Sequence, residues 1–390
     1  MSVTYADGFR AAGITAGLKP SGKPDLALIV NDGPAHSVAA TLTPNRASAA
    51  PVNYTKRILD TPTPSARAVL VNSGSANACT GKTGEKNATL SAEAVAKALG
   101  VQSEEVLLAS TGKIAVHLNM PAMLKGVEDI TPKLSANAQA GVDASDAICT
   151  TDTHSKRAQI EGDGYKIGGM VKGAGMIAPA MATMIAVVTT DADASSADLQ
   201  TALNAAVDMS FNRIDSDGCM STNDTVILMA SGASKTTPDL DEFTANLTTV
   251  LKSLARQIIN DAEGASHDIL IRVQNATSEG AALAVAREVS RSNLLKCALF
   301  GGDPNWGRVL ASMGVVPESV APYKMTQVDV KINGVQVCRG GSIGDDASEV
   351  DFTEREIVIE IDLKAGVFEA ELWTNDLTYE YVKENAEYST

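Results

Sequence analysis

The chain has 390 residues and a formal net charge of -15 at pH 7, with 44% hydrophobic, 4% aromatic and 20% charged residues. This length predicts two domains or one large layered core, and the composition is that of a globular protein rich in small apolar side chains. The negative charge and the lack of a Lys/Arg run argue against nucleic acid or an anionic membrane as a partner.

The N-terminus, MSVTYADGFRAAG, lacks a basic segment followed by an apolar one, and no apolar run approaches the length of a membrane span. We therefore expect a cytoplasmic protein. The five cysteines are widely scattered and predict reduced, mostly buried thiols. Neither they nor the four histidines have the spacing of a zinc site, so no metal is expected.

Helices and strands alternate along the first two thirds of the chain. The apolar spacing in NATLSAEAVAKALG predicts a helix that ends at Gly100. The β-branched run from Met184 to Thr190 predicts a central strand with Thr183 at its first position. A longer amphipathic helix is predicted over 241–264, ending at Gly264.

The last quarter is rich in alternating strands. QVDVKINGVQVC predicts a hairpin around Asn333-Gly334. REIVIEIDL and VFEAELW, joined by the turn Lys364–Gly366, predict a second hairpin. The elements together predict an α+β fold with helices layered on mixed and antiparallel sheets.

Two short glycine motifs indicate functions that their context does not support. GAGMIA, residues 173–178, matches a dinucleotide-binding fingerprint, but Pro179 and a strand follow where a helix is required. GGSIG, residues 340–344, matches a nucleophile elbow, but the last histidine, His267, precedes Ser342. We interpret the second motif as a turn after a hairpin strand.

The pair Ala182-Thr183 stands between a glycine-rich loop and the predicted strand. A threonine hydroxyl is a weak nucleophile unless a base lies beside it. If the peptide bond between Ala182 and Thr183 is cut, the new α-amine, with an ordinary pKa near 7.7 to 8.0, can serve as that base. The alternative from the residues alone is an ordinary threonine at the start of a strand.

Several longer stretches carry a family resemblance, and they occur in order over essentially the whole chain: VNSGSANACTG, STG at 110–112, TTDT at 150–153, KGAGMIAPAMATM, FNRIDSDGCMSTNDTV, GDPNWGR and NAEYST. Together they resemble the ornithine acetyltransferase (glutamate N-acetyltransferase) family. The resemblance implies self-cleavage between Ala182 and Thr183, with Thr183 as the catalytic nucleophile. It implies that Thr111 and Gly112 form the oxyanion hole.

The resemblance also implies a set of substrate-binding residues: Thr150, Lys172, Thr183, Glu263, Asn385 and Thr390. The residues alone instead favour a turn after a strand for Thr111-Gly112, a solvated lysine for Lys172 and a frayed end for the polar C-terminus. Glu263 is a carboxylate at the end of a predicted helix, where the macrodipole disfavours it. Asn212, Arg213, Asp215 and Asp217 could be catalytic by composition, but we interpret them as a structural polar network.

The implied protein is a precursor split into an α chain, 1–182, and a β chain, 183–390, assembled as a heterotetramer of two α and two β chains. The implied fold is an αββα-like sandwich, similar to N-terminal nucleophile hydrolases. The implied reaction is the ping-pong transfer of acetyl from N2-acetyl-L-ornithine to L-glutamate in arginine biosynthesis. The α-amine and the oxyanion hole supply the chemistry, so no cofactor is expected.

Three alternatives stay open from the sequence. A bifunctional enzyme also acetylates glutamate from acetyl-CoA. A related self-processing aminopeptidase uses the same threonine to hydrolyse peptides. A noncatalytic amino-acid-binding protein never cuts its own chain.

Overall fold

The computed structural model describes residues 2–178 and 184–387. Within these ranges the strands are β1 (Phe9–Ile14), β2 (Leu26–Asn31), β3 (Ser37–Leu42), β4 (Ala68–Ser75), β5 (Val106–Lys113), β6 (Lys156–Glu161), β7 (Lys166–Lys172), β8 (Ile185–Thr190), β9 (Thr225–Ala230), β10 (Asp268–Ala276), β11 (Asp329–Ile332), β12 (Val335–Arg339), β13 (Ser342–Ile343), β14 (Glu356–Asp362) and β15 (Phe368–Asn375).

The helices in the same ranges are α1 (Ala50–Leu59), α2 (Gly81–Leu99), α3 (Met120–Ile130), α4 (Ala138–Ala147), α5 (Ser196–Asp208), α6 (Leu240–Asn260), α7 (Glu279–Ser290), α8 (Asn293–Phe300), α9 (Trp306–Met313) and α10 (Tyr379–Glu387). In the described part of the chain, no helix is both long and apolar enough to span a lipid bilayer.

Two mixed sheets stack face to face in the first two thirds of the chain. Sheet A has the strand order β1-β2-β4-β5, and sheet B has the order β3-β9-β8-β7-β6. One face of sheet B shares a core with sheet A through Met170, Ile185, Val187, Ile227 and Met229. The other face packs against α5 and α6 through Ile167, Val171, Ala186, Val188, Val226 and Leu228.

Helices α2, α3 and α4 contribute to the same core as sheet A, whose second strand is buried along its whole length. The layer order is therefore helices, sheet, sheet, helices. This arrangement confirms the predicted αββα-like sandwich with mixed sheets. It also brings the ends of β5 in one sheet and β7 in the other close together, since Lys172 Nζ at the end of β7 lies 3.5 Å from the Thr111 hydroxyl oxygen near the end of β5.

The remaining strands form a third sheet with its own core. Its order is β13-β12-β11-β14-β10-β15, and α7, α8 and α9 cover one face through Val285, Val289, Leu299, Val309 and Met313. After β15 the chain returns to the sandwich as α10. The described residues thus bury three large hydrophobic cores: one between sheets A and B, one between sheet B and the helices α5 and α6, and one under the third sheet.

The predicted cut between residues 182 and 183 lies between two neighbouring strands of sheet B. β7 and β8 pair antiparallel from Lys172 opposite Ile185 to Ile167 opposite Thr190. The segments 1–182 and 183–390 thus both contribute strands to one sheet. The predicted strand over 184–190 begins at Ile185, and Thr183 lies outside the described residues.

Local signals predicted two other elements correctly. Gly100 adopts a left-handed conformation, with φ of 70°, directly after α2. Asn333 and Gly334 have φ of 47° and 85° in the turn between β11 and β12, which pair antiparallel.

The second predicted hairpin is wrong. β14 and β15 do not pair with each other, because β10 lies between them, parallel to β14 and antiparallel to β15. The turn between them instead bonds to β10, since the N–H groups of Ala365 and Gly366 donate to the carbonyl of Asn275 at 2.8 Å each. β10, which precedes β14 by about ninety residues in the chain, thus pairs with both strands that the local pattern predicted to pair with each other.

Two smaller expectations are also corrected. The long helix ends at Asn260 rather than Gly264, so Glu263 lies in the loop that follows α6. The expectation of mostly buried thiols is wrong, since Cys79, Cys219 and Cys297 are exposed and Cys338 alone among the five is fully buried. The described residues contain no group of three metal-ligating side chains.

Candidate active site

One pocket collects every predicted site residue that the structure describes: Thr111, Gly112, Thr150, Lys172, Glu263 and Asn385. These residues come from both sheets of the sandwich, from two loops and from α10, and they are separated by up to 274 positions in the chain (385 − 111). The predicted cleavage residues Ala182 and Thr183, and the predicted contact Thr390, lie outside the described residues. Other parts of the pocket wall are Ala76, Ile114, Thr151, Gly175, Met176, Ser221, Thr222 and Asn223.

Thr111 and Gly112 belong to the end of β5, where they pair with Ser73 and Gly74 of the parallel strand β4. Gly112 has φ of 123°, and a Cβ there would lie 2.4 Å from the carbonyl carbon of Gly74. Only glycine fits this close approach of two backbones. The interpretation of the pair as a turn is therefore wrong; both residues extend the strand into the pocket.

Lys172 is the last residue of β7 in sheet B, and it is only 2% exposed to solvent. Its Nζ donates a hydrogen bond of 3.5 Å to the Thr111 hydroxyl oxygen. The interpretation as a solvated lysine is wrong. A buried cation therefore lies beside one of the predicted oxyanion residues, where it can attract a substrate carboxylate.

A buried ion-pair cluster lies beside Lys172. Lys156, with a fully buried side chain, donates to Asp152 at 2.7 Å and to Asp261 at 2.5 Å. The Asp152 carboxylate also accepts the Gly173 N–H at 2.7 Å. Burial alone raises the pKa of Asp152, but the positive charges of Lys172 and Lys156 outweigh it, so that pKa lies well below its ordinary value of 3.8.

The same carboxylate positions Thr150. The Thr150 N–H donates to Asp152 Oδ2 at 2.9 Å. One residue earlier, the carbonyl of Cys149 accepts from Lys19 Nζ at 2.5 Å. The loop that follows α4 is thus tied at two consecutive residues, which fixes Thr150 in the pocket wall.

Glu263 and Asn385 meet in the pocket wall. Asn385 Nδ2 donates to Glu263 Oε2 at 3.1 Å, and the Glu263 N–H donates to the Ala174 carbonyl at 2.8 Å. The expectation of a frayed C-terminus is wrong for Asn385, because α10 forms a helix there. Thr378 Oγ1 anchors this helix by donating to the Gly264 carbonyl at 2.6 Å.

The glycine-rich loop 173–178 is held by Asp217. Its carboxylate accepts the N–H groups of Met176 at 2.8 Å and Ile177 at 2.9 Å, and the hydroxyl of Tyr381 donates to it at 3.3 Å. The structural network predicted for this motif is confirmed. Its other pairs are Asn212 with Asp208, Arg213 with Glu279, and Asp215 with Arg291.

Sequence reasoning assigned no role to Asn223 and Asp224, although both stand in the family-like stretch FNRIDSDGCMSTNDTV. Asn223 lines the pocket, and Asp224 accepts the Met184 N–H at 3.2 Å. The hydrogen bonds from Asn223 to Ala76 and Ser110, and from Met184 to Asp224, join residues at least 40 positions apart. Periodicity and turn signals in the sequence do not reveal such long-range contacts. A role for these two residues could therefore have been indicated by the family-like stretch that contains them.

The layered fold and the polar pocket at the sheet ends have the general architecture predicted for an N-terminal nucleophile type of enzyme. A profile of the ArgJ family matches residues 10–390. The chain belongs to the ArgJ family. The predicted resemblance to the ornithine acetyltransferases is confirmed.

Individual relatives match over the full length. The chain is 53% identical to the arginine biosynthesis bifunctional protein ArgJ of Bifidobacterium longum (strain NCC 2705) and 50% identical to that of Streptomyces coelicolor. Each alignment covers 100% of this chain and 100% of the relative. A crystal structure of ornithine acetyltransferase from Mycobacterium tuberculosis, complexed with ornithine, is 41% identical. That match covers 47% of this chain and 96% of the other, with a TM-score of 0.44.

Proposed function

We propose that the chain cuts itself between Ala182 and Thr183 and then uses Thr183 to carry an acetyl group from N2-acetyl-L-ornithine to L-glutamate. The enzyme class, an acetyltransferase of arginine biosynthesis, follows from membership of the ArgJ family. The observation that supports the detailed proposal is the convergence of six dispersed, family-like residues in one pocket. Two residues of the pocket wall, Gly175 and Met176, lie shortly before the proposed cut in the chain.

The proposed first half-reaction forms an ester. The Thr183 hydroxyl oxygen attacks the acetyl carbonyl carbon, and its proton passes to the Thr183 α-amine. When the tetrahedral intermediate collapses, the bond between the carbonyl carbon and the ornithine nitrogen breaks, and that nitrogen takes the proton. Ornithine leaves and acetyl-threonine stays.

The second half-reaction reverses these steps with glutamate. Its amine attacks the ester carbonyl carbon, the bond to the Thr183 oxygen breaks, and the hydroxyl regains a proton from the attacking amine through the α-amine. N-acetylglutamate leaves. Each step conserves the acetyl group, and no water or cofactor enters the balance.

The neighbouring groups suit these steps. Because Thr111 Oγ1 accepts a hydrogen bond from Lys172, its own hydroxyl proton is free to donate to a developing oxyanion. Lys172 supplies positive charge for a substrate carboxylate, while the carboxylate of Glu263, held by Asn385, can accept hydrogen bonds from a substrate ammonium group. Both substrates are amino acids with a carboxylate, so one pocket can serve both half-reactions.

Steady-state kinetics test this reaction. The proposal predicts that N-acetylornithine and glutamate yield N-acetylglutamate and ornithine in equal amounts, with parallel lines in double-reciprocal plots. Transfer to water in preference to glutamate would instead support an aminopeptidase-like hydrolase. Binding of the amino acids without any turnover would support the noncatalytic alternative.

A second activity is proposed because the relatives named above are called bifunctional. Acetyl-CoA would acylate the same Thr183, with coenzyme A as the leaving group. Incubation of the enzyme with acetyl-CoA and glutamate, without N-acetylornithine, tests it through the release of free thiol. A rate no greater than that of Thr183→Ala contradicts a second donor.

The proposal extends to assembly and location. The segments 1–182 and 183–390 would remain together as α and β chains because their strands share sheet B. Following the family, two copies of each would form a heterotetramer in the cytoplasm. Size-exclusion chromatography with light scattering tests the assembly.

A further inference from the structure

Asn223 and Asp224 are the two residues directly before β9 of sheet B. They are 3% and 0% exposed, respectively. Burial of an amide and a carboxyl is costly unless their polar atoms are hydrogen-bonded. The partners of these two side chains therefore show what the pair holds in place.

Asn223 braces the end of β5 that carries the predicted oxyanion residues. Its Nδ2 donates to the carbonyls of Ser110 and Ala76 at 2.7 Å each. Ser110 directly precedes Thr111 in the chain. The Asn223 amide is oriented by Thr222, whose hydroxyl donates to Asn223 Oδ1 at 2.6 Å.

Asp224 braces the start of the second segment. Its Oδ1 accepts the N–H of Met184 at 3.2 Å, and the next residue, Thr225, donates its N–H to the Met184 carbonyl at 3.1 Å. Met184 directly follows Thr183 in the chain. Burial raises the pKa of Asp224 well above its ordinary value of 3.8, and among the described residues its Oδ2 has no hydrogen-bond partner.

The two braces are adjacent in the chain, and consecutive Cα atoms are about 3.8 Å apart. One braces the residue before Thr111, and the other braces the residue after Thr183. Because the two anchored side chains belong to one dipeptide, the distance between the two residues that they brace can vary little. Misplacement of a reacting group by about 1 Å can cost about 100-fold in rate.

Resting on the function proposed above, we propose that Asn223 and Asp224 are positioning residues that set the nucleophile against the oxyanion pair. They act through Met184 and Ser110. Neither side chain needs to exchange a proton with substrate for this role. Both self-cleavage and acetyl transfer depend on the same separation, so both should suffer when either brace is removed.

The test uses Asn223→Ala, Asp224→Ala and Asp224→Asn in the full-length chain. The fraction of cut chain is followed by the mass of the denatured protein, and kcat is expressed per cut chain. For the two alanine variants we expect kcat to fall about 10- to 100-fold with KM within about threefold of wild type, because positioning acts on the chemical step. Asp224→Asn keeps an oxygen for the Met184 N–H and should stay within about threefold in kcat.

Matched controls lie at the other end of the same strands. Asn31 Nδ2 donates to the carbonyls of Ala35 and Ala230 at 3.0 Å each, and Asp191 accepts the N–H groups of Lys166 at 2.7 Å and Asp7 at 3.1 Å. Both side chains are buried to a similar degree. Asn31→Ala and Asp191→Ala should lower the melting temperature as much as the site variants do, but they should keep kcat near wild type.

Three results would overturn the inference. Wild-type kcat and cleavage in both alanine variants would show that neither brace matters. An equal loss in Asp224→Asn and Asp224→Ala would assign the carboxyl a proton-transfer role instead. An equal loss in the distant controls would reduce the effect to general stability. Failure of the proposed function is distinguishable, because it shows in the wild type itself as an uncut or inactive chain.

Discussion

Replacement of Gly175 by alanine tests the position of Glu263 with a single methyl group. A Cβ at residue 175 would lie 2.2 Å from Glu263 Oε2, 2.4 Å from its Cδ and 2.6 Å from its Oε1. Ordinary contact begins near 3.4 Å, so the carboxylate must retreat by about 1 Å (3.4 − 2.2). A shift of this size is enough to break its 3.1 Å hydrogen bond with Asn385.

The stability cost should be small. Gly175 is absent from the glycines with positive φ, so alanine brings no backbone strain. The atoms it meets are at the end of a flexible side chain, which can move. The melting temperature of Gly175→Ala should therefore lie close to that of wild type, while substrate binding suffers.

The kinetic cost follows from the lost contact. A hydrogen bond to a charged group contributes about 1.5 to 3 kcal/mol, which corresponds to about 10- to 100-fold in kcat/KM. We expect most of this loss in KM, because Glu263 is a predicted substrate contact. The assay is initial-rate kinetics with N-acetylornithine and glutamate varied separately.

Three further variants make the result decisive. Gly280→Ala is the control, since its nearest atom is Ser278 Oγ at 3.9 Å and the residue lies in helix α7. Glu263→Gln should show a similar loss, and the double variant with Gly175→Ala should lose little more than either single variant. Unchanged KM values in Gly175→Ala would refute the placement of Glu263 against the substrate.

Three more predictions concern charge and thiols. Lys172→Met removes the buried cation at the pocket, and we expect initial-rate kcat/KM to fall about 100-fold; wild-type kinetics would contradict its role. Burial lowers the pKa of Lys296 from 10.5 to about 8, so the unfolded chain binds more protons than the folded one between these values. The free energy of unfolding should then rise with pH over this window in denaturant titrations, and the rise should be smaller in Lys296→Met. Alkylation followed by peptide mass spectrometry should label the exposed Cys79 and Cys297 well before Cys149, whose pKa burial raises to about 12; equal rates would contradict this.

Local signals predicted the elements whose geometry depends on neighbouring residues. The end of α2 at Gly100 and the turn at Asn333-Gly334 both require left-handed backbone, which glycine and asparagine adopt readily. The αββα layering and the pocket residues came instead from the family resemblance. Six residues from distant positions could be placed in one site only because long motifs carried their roles together.

The failures share a physical origin in long-range contacts. The pattern of β14 and β15 contains nothing to show that β10 separates them. The end of α6 is fixed in part by Asp261, which binds Lys156 at the start of β6, 105 residues earlier in the chain. The bracing role of Asn223 depends on carbonyls 113 and 147 positions away. Such hydrogen bonds leave no period or turn signal in the sequence.

The intact mass of the denatured protein tests the central claim most directly. Wild type should give two chains of about 19 and 22 kDa, by proportional length of the 40.4 kDa precursor. After N-acetylornithine is added, the larger chain alone should gain one acetyl group at an N-terminal threonine. Thr183→Ala should remain one unmodified chain. A fully active wild type that runs as a single uncut chain would contradict the self-made nucleophile.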